Sequence, residues 1–121
     1  MAQPIDKMLD EGIHDLSELE RIGKALKDKE VKTAQIRKFF GSLKRIQVDF
    51  DNLSHEIILL EPRLAYAYGK AKGESKDGLK LMYNTLGPLV KRIEQKPERF
   101  KRFVQITEAI VAYHKSYGGG E

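Results

Sequence analysis

Thr33-Ala34-Gln35-Ile36-Arg37-Lys38-Phe39-Phe40-Gly41-Ser42-Leu43-Lys44-Arg45-Ile46-Gln47-Val48 decides the fold class of this chain. Its large apolar residues stand three and four apart, the spacing of one buried helix face and not of a strand. On a wheel turning about 100° per residue from Ile36, Phe39, Phe40, Leu43 and Ile46 fall between about 280° and 40°. Arg37, Lys38, Lys44 and Arg45 fall between about 80° and 200°, on the opposite side. Thr33 is a candidate N-cap. Gly41 sits at about 140°, in the middle of the basic arc, where glycine costs roughly 1 kcal/mol of helix propensity relative to alanine. Either a phosphate backbone approaches it closely or it is a packing notch against a neighbouring helix.

The same periodicity extends in both directions. Toward the N-terminus, residues 15–28 read as a helix with Asp15 as N-cap and Leu16, Leu19, Ile22 and Leu26 inward. A short acidic segment over residues 4–11 reads as helical only against a partner surface. Toward the C-terminus, Asp49–Ser54 reads as a break, because Asp and Asn favour turns. A helix over residues 55–71 either kinks at Pro62 or restarts with Pro62 near its first turn, and Gly69 and Gly73 close it. Residues 75–94 carry a stripe of Leu79, Met82, Tyr83, Leu86, Leu89, Val90 and Ile93, with a bend expected at Gly87-Pro88. A last helix runs from Glu98 to Tyr117. Its inner face is Phe100, Phe103, Val104, Thr107, Ile110, Val111 and His114, and Gly118-Gly119-Gly120 ends it. The reading is all-α, a small bundle of about five helices. It forms one helical domain over 1–121, with 1–30 an acidic N-terminal part and 33–117 a basic core.

Composition agrees with one small domain: 121 residues, 40% hydrophobic and 33% charged. The absence of cysteine removes disulfides, thiolate metal sites and cysteine nucleophiles. The longest aliphatic run, Ile57-Ile58-Leu59-Leu60, is far short of the roughly 20 residues of a membrane span. Asp6, Asp10 and Glu11 stand where a signal peptide needs positive charge. A cytoplasmic protein with no membrane association is expected.

Charge is unevenly spread. Residues 1–30 hold 5 basic and 8 acidic side chains, a balance of −3, against 17 and 10, or +7, in the remainder. Residues 31–48 and 62–73 contain no acid at all. This pattern suggests a polyanionic partner for the later part and a different contact for the acidic start, or else simply a solvated surface.

In Leu60-Glu61-Pro62-Arg63-Leu64-Ala65-Tyr66-Ala67-Tyr68-Gly69-Lys70, the residues Arg63, Tyr66 and Lys70 share one face, while Leu60, Leu64, Ala67 and Tyr68 lie toward the other. Cations interleaved with a ring suit nucleic acid, the cations meeting phosphates and the ring stacking on a base or sugar. The plainer alternative for Tyr66 is a core-edge residue with its hydroxyl in water. Lys72, in a glycine-flanked loop, can reach the same ligand. A third cluster, Lys91, Arg92, Lys96, Arg99, Lys101 and Arg102, reads as the solvated outside of the bundle rather than a second phosphate contact.

Catalytic signals are poor. His14, His55 and His114 are isolated, with no HxxxH pair, so no metal site is expected, and His114 reads as a packing histidine. There is no GxSxG, phosphate-binding loop or dinucleotide fingerprint. No catalytic residue and no cofactor is assigned, and the chain is not expected to be an enzyme.

Three stretches carry a resemblance. Thr33-Ala34-Gln35-Ile36-Arg37-Lys38-Phe39-Phe40-Gly41 resembles a T-x-Q-I-R-K-F-F motif, and Leu60-Glu61-Pro62-Arg63-Leu64-Ala65-Tyr66-Ala67 an L-x-P-[KR]-L-A-Y-A segment. Phe100-Lys101-Arg102-Phe103, followed by Glu108-Ala109-Ile110-Val111-Ala112-Tyr113-His114-Lys115, resembles an F-x-x-F…E-A-I-V-A-Y-H-K ending. Together, in this order, they are similar to the small subunit of type III-A CRISPR effector (Csm) complexes. Residues 1–30 and the loop around Gly73–Gly78 match no motif.

The resemblance implies a non-catalytic antiviral-defence protein whose copies stack head to tail along crRNA and target RNA. It implies contact with the backbone and large subunits of the Csm complex. The motifs carry the basic positions onto Arg37, Lys38 and Arg63, while Lys44, Arg45, Tyr66, Lys70 and Lys72 come from the helical wheels. Two other readings remain: a free-standing dimeric helical nucleic-acid-binding protein, or a protein-only adaptor for an acidic partner.

Overall fold

The C-terminal helix carries more apolar residues than a narrow stripe can hold, and the architecture follows from that surplus. The computed structural model describes residues 2–120. Its elements are α1 (Ile5–Glu11), α2 (Ser17–Asp28), α3 (Thr33–Val48), α4 (Phe50–Leu53), a 3-10 helix (Ser54–Leu59), α5 (Leu60–Lys70), α6 (Glu74–Ile93) and α7 (Pro97–Ser116). The fold is all-α. Phe100, Phe103, Val104, Ile106, Thr107, Ile110 and His114 of α7 are all buried, an arc of about 160° around the helix. Such an arc needs several neighbours, and α7 packs against α2 most extensively and also against α3, α1 and α6. The second extensive pair is α5 on α6. Phe39 of α3 meets Phe103 edge-on, with centroids 6.5 Å apart and planes at 80°, the geometry that sets a ring's positive edge against a negative face.

One close helix approach is made where a side chain is missing. A Cβ at Gly23 of α2 would lie 2.6 Å from the Tyr113 Cβ and 2.9 Å from the backbone of His114 and Ile110. Gly23 is therefore the notch that lets α2 lie against α7. Gly41, the expected notch, is exposed and would meet nothing within 4 Å, so the intramolecular packing explanation for it fails.

The terminal glycine run does more than end α7. Gly119 is buried, and its N–H donates to the His114 carbonyl at 2.9 Å. The chain then reaches α3, where the Thr33 N–H donates to the Gly120 carbonyl at 2.6 Å. This satisfies one of the donors that a helix start leaves unpaired. A Cβ at Gly119 would fall 2.1 Å from the His114 ring, so no other residue fits there without movement. His114 is fully buried, as expected of a packing histidine, and its Nε2 donates to the Val31 carbonyl at 2.6 Å. Its Nδ1 is buried without a partner.

Several local expectations are corrected. Thr33 is the first residue of α3 and is buried; Lys32 takes the N-cap position, and its N–H donates to Gln35 Oε1 at 2.8 Å. Asp15 lies one residue outside the cap of α2, where its Oδ1 accepts from the Ser17 N–H at 2.8 Å. Leu16 is 47% exposed and not part of the inner face, and Val111 is only half-buried while Ile106 is buried. The break expected over Asp49–Ser54 is confined to Asp49, and α4 and the 3-10 helix follow at once. Phe50 explains this, since its ring packs 5.7 Å from Phe100 and draws the segment onto the core. Pro62 is the third residue of α5, a first-turn position where its missing N–H costs no helix bond. α6 is unbroken through Pro88; both Pro88 and Asn84, whose carbonyl loses its donor, are exposed, so water can satisfy that carbonyl. The acidic α1 packs with Met8 and Leu9 fully buried, so the chain itself supplies the surface on which it forms.

The two glycines give opposite expectations. Gly41→Ala should stabilise the fold by up to about 1 kcal/mol through helix propensity. Gly23→Ala should destabilise it by about 1–3 kcal/mol through overpacking. Urea titrations followed by circular dichroism measure both, and equal shifts would contradict the notch. Phe103→Ala should cost about 3–5 kcal/mol in the same assay.

Candidate nucleic-acid interface

The two basic motifs, 33–41 and 60–67, lie on α3 and α5, and these helices diverge to leave a groove between them. From α3 it is lined by Gln35, Lys38, Phe39 and Ser42, and from α5 by Pro62, Arg63, Tyr66, Ala67 and Lys70. Leu59 and Leu79 complete it. Phe39 and Leu79 are buried and form the floor, whereas Lys38, Arg63, Tyr66 and Lys70 are exposed at its edges. Three cations thus surround an apolar floor, and no carboxylate is among the lining residues. Tyr66 is 67% exposed, with the Lys70 ammonium 5.3 Å from its ring centroid.

Four of the eight sequence-assigned residues, Lys38, Arg63, Tyr66 and Lys70, therefore share one groove. Arg45 reaches the same neighbourhood through Glu56: its Nη1 donates to Glu56 Oε1 at 2.5 Å, and Arg63 Nη2 lies 3.7 Å from the same oxygen. The hydrogen bond from Arg45, with the charges of Arg45 and Arg63 nearby, holds the Glu56 carboxyl below the ordinary carboxylate range. Arg37 and Lys44 are exposed but do not line the groove; on the wheel they stand about 100° round α3 from Lys38 and Arg45. The Lys44 ammonium rests 5.8 Å from the Phe40 ring. Lys72 is exposed in the short link before α6 and does not line the groove either.

Ala67, expected on the face away from Arg63, lines the groove, as its position about 40° round the helix from Arg63 requires. Tyr68 does point elsewhere and stacks on Tyr83 of α6 at 6.2 Å. The Tyr83 hydroxyl donates to Glu61 Oε1 at 2.6 Å, and this bond to a carboxylate raises the phenol above its usual range. It also ties Glu61 to α6.

The third basic cluster is corrected from solvated surface to clamp. Arg92 donates to the Asp6 carbonyl at 2.8 Å and pairs with Asp10 Oδ2 at 2.6 Å, while Arg99 pairs with Asp10 Oδ1 at 3.0 Å. Arg102 donates to the Leu9 and Asp10 carbonyls at 3.2 and 2.5 Å. These arginines hold the end of α1, where unpaired carbonyls favour cations. Lys91, Lys96 and Lys101 remain exposed.

Among the described residues no group of three or more His, Asp or Glu is arranged to hold a metal ion. No described helix is long and apolar enough to cross a membrane.

No curated protein matches the chain. The family described as Csm2 Type III-A matches residues 11–120, a span that includes both groove helices and the α7 motif. Extending from the end of α1 to the terminal glycines, this match means that the chain belongs to the Csm2 Type III-A family, the small subunit of the type III-A CRISPR effector (Csm) complex.

Proposed function

We propose that the groove between α3 and α5 holds the RNA of the effector complex through its phosphate backbone, and that the subunit does no chemistry itself. One observation carries this reading. Two motifs some 20 residues apart converge on one groove with Lys38, Arg63 and Lys70 at its edges and no acid in its lining. Cations so arranged neutralise phosphates and release counterions, a source of affinity that does not read sequence. In an RNA-guided assembly, sequence is read by base pairing, so the protein needs only backbone and shape. Arg37, Lys44 and Lys72 extend the basic surface around α3 and beyond α5. Gly41, open on that surface, lets a backbone come close.

A single groove with three cations binds weakly, and copies stacked along crRNA and target RNA bind more tightly through multivalency. Stacking, and contact with the backbone and large subunits, need apolar surface as well. Val48 at 86% and Ile58 at 56% exposure supply it at the end of α3 and in the 3-10 helix.

Reversing Lys38, Arg63 and Lys70 to Glu should abolish RNA binding in fluorescence anisotropy while leaving helicity unchanged. For single strands, neutralising the three cations should flatten the slope of log K against log salt by about 2. An unchanged slope would remove the groove from the interface. Glu56→Gln should act in the opposite direction. It frees Arg45 and Arg63 and removes a competing anion, so RNA affinity should rise, by about two- to fivefold for exposed pairs. Weaker binding by this variant would mean that Glu56 orients the arginines for phosphate instead of competing with it.

A further inference from the structure

A groove that bound phosphate alone would have no use for its floor. Phosphates are heavily hydrated, yet Phe39, Leu59, Pro62 and Leu79 present hydrocarbon between the cations. Tyr66 is still more exposed, a large ring two-thirds in water. Its partner Lys70 sits where a cation is attracted to the ring's negative face. The groove of about 710 Å³ lies in the range of clefts that take a drug-sized ligand, and a nucleobase is smaller than that.

We infer that the groove takes an unpaired nucleobase of a single-stranded segment, stacked on Tyr66 over the apolar floor, with the flanking phosphates on Lys38 and Arg63. The inference rests on the nucleic-acid reading above and narrows it to one form of the ligand. Charge complementarity selects a polyanion, and the floor selects one that also offers a flat apolar face. A duplex buries its base faces in its own stack and would cover the cations while leaving the floor and Tyr66 wet. A single strand offers phosphates and base faces together, the pairing that aromatic rings set in a basic groove recognise. Every base has such a face, so this contact tolerates any sequence.

The test uses the full-length chain with three RNA probes of equal length: a single strand carrying 2-aminopurine, the same strand with abasic riboses at its central positions, and a blunt duplex. The single strand should bind at least about fivefold more tightly than the abasic strand, the lower end of what one stacked base contributes. The 2-aminopurine fluorescence should be quenched on binding. Tyr66→Ala should remove that advantage and the quenching while leaving abasic binding and helicity unchanged, and Tyr66→Phe should retain both. Equal binding of single and abasic strands, with steep salt dependence, would overturn the base contact and leave the phosphate reading intact. A preference for the duplex would overturn it too. No binding of any probe, with capture of an acidic peptide carrying one aromatic anchor, would overturn both readings and make the groove a protein docking site.

Discussion

The contact between α7 and its neighbours sets the positions of α1, α2, α3 and α6. α7 buries a face wide enough to need α2, α3, α1 and α6 around it, and the α2 contact is only as close as Gly23 allows. The Phe39–Phe103 pair then fixes α3 on α7. With α5 held separately on α6, α3 and α5 are positioned by different partners. They touch each other over only a small area, and the groove lies between the rest of their facing surfaces. Phe39 belongs to both structures: it anchors α3 to the core and floors the groove. Truncating it would therefore damage fold and groove together, whereas Tyr66 lies outside the core and can be changed without that cost.

The uneven charge of the chain is settled mostly inside the molecule. The acidic start does not wait for a partner, because Arg92, Arg99 and Arg102 already grip Asp10 and the carbonyls of α1. Those arginines are drawn away from the pool that could meet an external anion. On the other side Glu56 draws on Arg45 and Arg63. What remains at the groove is Lys38 and Lys70, with Arg63 held only loosely by a carboxylate 3.7 Å away. The arginine ends of these pairs are exposed while Glu56 is partly buried, so on the proposed reading a phosphate competes for Arg63, the more distant of the two partners, rather than for Arg45. The net charge of +4 therefore says less about the binding face than the positions of these few acids do.

Much of the fold was legible because periodicity is a local signal. α3 spans Thr33–Val48 as read, and α6 and α7 agree to within a residue at each end, since their apolar spacing runs without interruption. The segment after Asp49 was not legible. Its residue types favour turns, and the helix there depends on Phe50 reaching Phe100, half the chain away. Half of the assigned site residues meet in one groove, because a wheel places residues three, four and seven apart on one face. Wheels cannot tell how far two helices stand apart, so Phe39 and Leu79 read only as core. Ala67, about 40° round the helix from Arg63, belongs on the basic face and was grouped instead with the apolar residues by its side-chain type. Glu56 escaped notice for the same reason: it is 11 residues from Arg45, across a helix break, at no spacing a wheel can show. The arginine clamp joins residues more than 80 positions apart, and nothing in either segment alone announces it.

The two kinds of contact proposed for the groove share a property that suits a guided assembly. A phosphate is the same at every nucleotide, and the face of a base differs little between bases in its capacity to stack. Specific readout requires donors and acceptors aimed at base edges, whereas the groove offers cations, hydrocarbon and a phenol ring. Its two neutral polar side chains are engaged with backbone, Gln35 Oε1 accepting from the Lys32 N–H and the Ser42 hydroxyl donating to the Lys38 carbonyl. If the groove binds as proposed, the subunit gains affinity from any strand alike and leaves discrimination to pairing. Weakness of the single site is then no defect. In the proposed row of copies, a site with three cations would let go and rebind as the strand shifts, while the row as a whole held it. A groove with more unpaired arginine would hold one segment harder and make that adjustment slower; on the proposed reading the pairing of Arg45 and Arg63 with Glu56 limits that hold.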